Sequence, residues 1–129
     1  MTVTEVKRSR TGDFRVLDEH GRVVVEQLRV ARSHWQRFSG LMLRADFPPD
    51  EGILFPGGDI HGFFMRFPLD LLFVDDDGVI LKAVRGMKPW RIARTVRGAK
   101  GVLELKARPD ATYAAGQRLR FEPRDPAGR

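Results

Sequence analysis

The sequence contains no cysteine. Disulfides, thiolate nucleophiles, iron–sulfur clusters and cysteine zinc sites are therefore excluded. Tyrosine occurs once and tryptophan twice, against nine phenylalanines, so aromatic packing rests on Phe. No run approaches the roughly 18 consecutive apolar residues of a spanning helix. The opening stretch MTVTEVKRSRTGDFRVLDEHG also lacks the apolar centre of a signal peptide. These absences predict a soluble, cytoplasmic protein without a membrane span. Phosphate-cradling loops and dinucleotide fingerprints are missing too. None of Ser9, Ser33 and Ser39 sits in a G-x-S-x-G elbow, which leaves nucleophilic catalysis without a motif.

Acidic residues are scarce in one segment only. Residues 82–108 carry nine basic side chains against Glu104 alone, whereas residues 1–81 hold thirteen acids and ten bases. The net charge of +6 is thus concentrated in Lys82, Arg85, Lys88, Arg91, Arg94, Arg97, Lys100, Lys106 and Arg108. Such a segment suits phosphates or an acidic protein.

An apolar content of 42% with 31% charged residues is that of a folded globular chain. Its 129 residues suit one domain, with a core over about 14–122 and a frayed tail at 123–129. Residues 14–19 and 22–30 read as strands around a turn at His20-Gly21. In the second strand Leu28 and Val30 share a face, alternating with Gln27 and Arg29. The period then changes: Trp35, Phe38, Leu41 and Met42 form one stripe of a short helix over about 32–42. The prolines of ADFPPDEG stop it. Strands resume at 52–55, 63–67 and 69–75, with Pro68 marking an edge, bulge or bend. Asp77-Gly78 is a strong hairpin signal before VILKAV (79–84), and 101–107 and 118–123 close the fold. Numerous short strands with turn signals predict a mainly β chain, a single-domain antiparallel sandwich or jelly-roll-like barrel with one short helix.

Several of these residues form an ordered set: Arg37, Gly40-Leu41-Met42-x-Arg44, Gly52-Ile53-Leu54-Phe55, Phe64-Met65, Pro68-Leu69-Asp70, Phe73-x-Asp75, Gly78 and Val102-Leu103-Glu104-Leu105. The set resembles the DUF192 family, an uncharacterised conserved family, over about residues 23–122. The resemblance implies a small β-rich, sandwich-like domain with a short helix, and no established activity. The chain departs from the family pattern at Phe64-Met65-Arg66-Phe67-Pro68, where many members read Trp-Met-Lys-Asn-Thr. It departs again at Lys106-Ala107-Arg108 and Gly116-Gln117.

Asp70 and Glu104 each lie inside an apolar strand, where an isolated carboxylate is costly and needs a cation, several N–H donors or a solvent-lined pocket. Arg37 and Arg44, near the two ends of the predicted helix, are the candidate partners, with Arg66 a third; a guanidinium grips a carboxylate with two parallel bonds. One expectation is a fold-locking ion pair. The other is a polar ligand pocket formed by Arg37, Arg44, Met65, Asp70 and Glu104. His61, across a Gly-rich loop from Asp59, joins Asp70 and Glu104 as a candidate for acid–base or hydrolytic catalysis. No metal site or cofactor is expected: one His and one Asp do not make a ligand set. An EF-hand loop beginning at Asp75 would need glycine and glutamate where Ile80 and Gly86 stand.

The basic stretch 85–101 is the chemically unusual part. Arg85, Lys88, Arg91, Arg94, Arg97 and Lys100 surround Trp90. Cations with an exposed aromatic are the equipment of single-stranded nucleic-acid binding. In the alternative, Trp90, Ile92 and Val96 pack inward while the Arg side chains radiate into water. The sequence therefore predicts a protein that binds a small ligand near Asp70 and Glu104, or a nucleic acid or acidic protein through residues 82–108. An acid–base enzyme is the alternative.

Overall fold

The computed structural model describes residues 1–9, 13–31, 50–57, 68–88, 94–108, 110–111 and 113–124. A short helix, α1 (Val3–Arg8), is followed by seven strands: β1 (Asp13–Leu17), β2 (Val23–Val30), β3 (Glu51–Pro56), β4 (Leu69–Val74), β5 (Ile80–Met87), β6 (Gly101–Lys106) and β7 (Arg120–Pro123). They form one sheet in the order β5-β4-β6-β3-β2-β1-β7. Residues 32–42, predicted to be helical, and the predicted strand 63–67 lie outside the described residues.

The apolar pattern explains the order. Every residue of β4 is buried, as are all but the last of β6, and strands covered on both faces read as continuous apolar runs. One face carries Phe14, Val25, Leu28, Leu54, Leu72, Leu103, Leu105 and Phe121 into a single cluster with Val3 and Val6 of α1. The other carries Phe55, Leu69, Leu71, Phe73 and Val102 into a second. Val25 and Leu28 would alternate faces in a regular strand. The register shift between the Phe14–Leu28 and Val16–Val25 pairs turns both toward the first cluster.

The mainly β architecture is as predicted, with two differences. β2 and β3 run parallel, pairing Gln27 with Glu51 and Val30 with Leu54, where only antiparallel pairs were expected. Residues 31–50 between them are long enough for the crossover that a parallel pair requires. The sheet is also not closed into a barrel. It curls enough to bring Ile80 of β5 and Phe121 of β7, from its two edges, into one cluster. Yet among the described residues β5 and β7 do not pair: the edges meet through the bridge Val79–Arg118, just outside both strands, and through backbone hydrogen bonds between Ile80 and residues 116–117.

The Asp77-Gly78 hairpin forms where predicted, between β4 and β5. Asp75 Oδ1 accepts from the backbone N–H groups of Asp77 and Val79, both at 2.9 Å. Gly78 has φ +87°, and a Cβ there would collide with the Leu119 carbonyl oxygen. The first turn is wider than His20-Gly21: Asp18 accepts from the N–H groups of His20 (2.8 Å) and Arg22 (2.9 Å), so β1 ends at Leu17.

The helix α1 was not predicted. Thr2 and Glu5 cap its start reciprocally, satisfying N–H groups that have no partner within the helix. Asp76 Oδ1 accepts from the Thr4 N–H (2.8 Å) and hydroxyl (2.7 Å), which fastens the helix to the β4–β5 hairpin. Among the described residues no helix is long and apolar enough to cross a membrane.

Candidate functional site

Asp70 and Glu104 are both buried, with 1% and 0% of their surface exposed, and they do not share a pocket. In the β4–β6 ladder Asp70 pairs with Leu105 and Leu71 pairs with Glu104. Directly paired residues share a face and successive residues alternate. Asp70 therefore points toward the first cluster with Leu105, and Glu104 toward the second with Leu71. The single Asp–Glu pocket expected from the sequence is divided by the sheet itself.

The surroundings of Asp70 begin with a bulge. Leu71 pairs with Val84 and Leu69 with Met87, so Asp70 faces two residues of β5, Arg85 and Gly86. Such an insertion re-aims side chains locally. Asp70 Oδ1 accepts from the Gly86 N–H at 2.7 Å. Oδ2 accepts from the Arg108 N–H at 3.2 Å and the Tyr113 hydroxyl at 2.7 Å. The Arg85 Nε stands 3.4 Å from the same oxygen, while its guanidinium carbon lies 4.8 Å from the centroid of the Tyr113 ring. Arg85 also donates Nη2 to the Arg108 carbonyl at 2.6 Å.

The carboxylate thus ties together the β5 bulge, the segment after β6 and the Tyr113 loop. Burial, then the hydrogen bond to Asp70 and its charge, push the Tyr113 hydroxyl well above the ordinary phenol range, against the opposing influence of Arg108 and Arg85. Tyr113 is accordingly a protonated donor at neutral pH.

The sequence predicted Arg37, Arg44 or Arg66 as the partner of Asp70. All three lie outside the described residues, as do His61, Met65, Trp90 and Arg91. The partners seen are Arg85, which the sequence assigned to the basic stretch, and Tyr113, which it did not single out. The one available signal for Tyr113 was that it is the only tyrosine.

The basic segment divides into buried and exposed parts. β5 extends to Met87, which is buried in the second cluster. Lys82 lies 5.5 Å from the Phe73 ring centroid and donates to the Arg94 carbonyl at 3.1 Å. The Lys100 N–H donates to the Val74 carbonyl at 2.8 Å, and a turn closes between Val96 and Ala99. Val96 and Ala99 pack against the second cluster. Lys88, Arg94, Arg97 and Lys100 are exposed. Among the described residues no ion pair engages Lys88, Arg94 or Arg97.

A family model, DUF192, described as an uncharacterized ACR, matches residues 15–121. The chain belongs to the DUF192 family. Two relatives carry the name UPF0127, for the same family. One, from Thermococcus sibiricus, is 29% identical over 65% of this chain and 57% of its own length. The other, from Pyrococcus abyssi, is 31% identical over 60% of this chain and 69% of its own. The match therefore spans little more than half of the Thermococcus protein. A crystal structure from Sinorhizobium meliloti, described as a candidate transcription regulator, is similar at a TM-score of 0.69 and 28% identity, covering 90% of this chain and 93% of that one. A protein of unknown function from Novosphingobium aromaticivorans matches at TM-score 0.69 and 22% identity, over 84% and 83% of the two chains, a likeness of fold.

Most of the described part of the DUF192 motif set maps to one place, with Pro68 just before β4 and Asp75 and Gly78 in the β4–β5 hairpin. Gly52–Phe55 lies in β3, Leu69, Asp70 and Phe73 in β4, and Val102–Leu105 in β6, three adjacent strands at the centre of the sheet. Its charged members within those strands are Asp70 and Glu104, one for each face.

Proposed function

We propose that this DUF192 protein is a binding protein rather than an enzyme, and that its basic segment meets a single-stranded nucleic acid. The observation that carries the reading is the exposed, anchored turn of residues 94–100. Its backbone is held at one end by Lys82 and at the other by Val74, while Arg94 and Arg97 project without acidic partners among the described residues. A cationic surface presented on fixed backbone binds phosphates without first having to order itself. The description of the Sinorhizobium meliloti neighbour as a candidate transcription regulator is in keeping with a role near nucleic acid.

Acid–base catalysis by Asp70 is less well supported. Its two oxygens already face four donors, which uses the acceptor capacity of a carboxylate. Glu104 opens to the opposite face and cannot complete a dyad with it.

Fluorescence anisotropy with short labelled single-stranded RNA and DNA tests the proposal. Binding is expected to weaken with salt, with a log–log slope of about −0.7 per phosphate contacted. The double variant Arg94→Glu, Arg97→Glu should abolish it while melting like the wild type. Absence of binding at low salt, or full binding by that variant, would remove nucleic acid as the partner.

A further inference from the structure

The Asp70 cluster sets the Arg85 guanidinium against the carboxylate, with the Arg108 backbone N–H beside it. Arg85 directs Nε to Asp70 and Nη2 to the Arg108 carbonyl, with Tyr113 against its flat face. Its Nη1 makes no hydrogen bond among the described residues, and 34% of the side chain reaches solvent. Arg108 donates Nη1 to the Val24 carbonyl at 3.1 Å, and its charge, like that of Arg85, acts on the Tyr113 hydroxyl. Both charges thus act on the neutral phenol, while Asp70 itself meets the Arg85 side chain and the Arg108 backbone N–H. Beside Arg85, Gly86 adopts φ +60°, and a Cβ built there would meet nothing within 4 Å. The surface beside Gly86 is open.

We propose that Arg85, stacked on Tyr113 and steered by Asp70, is a receptor for a small oxyanion, the carboxylate or phosphate end group of a ligand. The anion docks on the outward Nη edge of Arg85, where a planar fork of N–H donors matches two oxygens at once. The stack and the two inward contacts hold the guanidinium in one orientation, so little side-chain freedom is lost on binding. Asp70 acts through Arg85 and is a positioning residue, which gives a purpose to a carboxylate buried with so many donors. The site is distinct from the exposed turn at 94–100 and does not depend on it.

The experiment is a titration of the whole chain with inorganic phosphate and, separately, with acetate. Chloride holds the ionic strength constant, and the arginine Nε–Hε resonances and the melting temperature are followed together. One Nε–Hε resonance, identified as Arg85 by its loss in Arg85→Lys, is expected to shift saturably, and the melting temperature to rise with anion concentration as a bound ligand requires. Arg85→Lys keeps the charge but loses the fork, and should bind at least about tenfold more weakly. The double variant Arg94→Glu, Arg97→Glu should titrate like the wild type, so that loss of nucleic-acid binding and loss of anion binding are separate results. A response to phosphate alone or to acetate alone assigns the end group. The proposal is overturned if neither anion gives a saturable shift at Arg85, if Arg85→Lys binds as tightly as the wild type, or if only the turn variant loses binding. The wild-type titration decides the matter even if Arg85→Lys fails to fold.

Discussion

Asp70 and Glu104 stand one step apart on the β4–β6 ladder and face away from each other, Asp70 paired with Leu105 and Glu104 with Leu71. Each is buried with a different hydrophobic cluster. Two carboxyl groups that look like a pair in the sequence thus belong to separate environments, with the thickness of a sheet between them.

A double-mutant cycle reads this separation. Asp70→Asn should cost about 3 kcal/mol, because it leaves the Arg85 charge without its buried anion. Combined with Glu104→Gln, the two losses should add to within about 0.5 kcal/mol, as changes at sites without shared partners do. Denaturant unfolding of the four proteins supplies the numbers. A coupling above about 1 kcal/mol would mean that the two groups sense each other across the sheet.

Tyr113 is the sole tyrosine, so absorbance near 295 nm reports its ionisation alone. Burial and Asp70 raise its titration above the ordinary 10.0. A proton held more tightly in the folded state stabilises that state fully below pH 10, and the contribution is lost as pH rises further. The phenol should therefore stay protonated past pH 10 and ionise together with unfolding. A normal titration curve in the folded protein would contradict the hydrogen bond to Asp70. Tyr113→Phe should cost about 1–2 kcal/mol, less than Asp70→Asn, since Asp70 keeps its remaining donors.

Thr4 donates two hydrogen bonds to Asp76, and these lower the Asp76 titration below its ordinary 3.8. A depressed carboxyl stabilises the fold above that ordinary value, and the benefit disappears as pH falls through the lowered one. Thr4→Val should melt earlier than the wild type at pH 7, and the gap should narrow below pH 3.8. A gap of the same size at pH 2.5 would show that the loss comes from packing of α1 and not from Asp76.

Gly78 and Gly86 both have positive φ and should tolerate alanine very differently. At Gly86 nothing stands within 4 Å of the added methyl, so Gly86→Ala should cost only the backbone strain, about 1 kcal/mol. At Gly78 the methyl meets the backbone oxygen of Leu119, which has little room to retreat because the Leu119 N–H donates to the Gly78 carbonyl at 2.8 Å. Gly78→Ala should cost well over about 2 kcal/mol. Equal melting temperatures for the two variants would show that the hairpin relaxes.

The strands were legible wherever a local pattern sufficed. The apolar run of β4, the Asp77-Gly78 hairpin and the shared face of Leu28 and Val30 all follow from periodicity and turn chemistry. That Asp70 must be paired was legible too, from the cost of burying it. Its partners were not. Tyr113 is 43 residues away, in a stretch with no periodicity, and Arg85 reaches Asp70 only because the β5 bulge turns it there. Neither register nor bulges are written in a local pattern. The parallel β2–β3 pair was hidden for the same reason, being a long-range choice. α1 is a different case: Thr2 and Glu5 spell a capping box ahead of Val6, a signal available in the sequence.

The position of β6 between β4 and β3 dictates an order of assembly. Until residues 101–106 are available, β1, β2 and β3 can form one piece and the β4–β5 hairpin another, with no strand pair joining them among the described residues. β6 is the seam. Its arrival buries both neighbouring edges at once and converts two marginal fragments into one sheet, so folding during synthesis waits for it, and contacts of large sequence separation set the rate. A nascent chain halted before Gly101 would leave the β6-facing edges of β3 and β4 unpaired, which makes that interval the one in which a chaperone has most to protect.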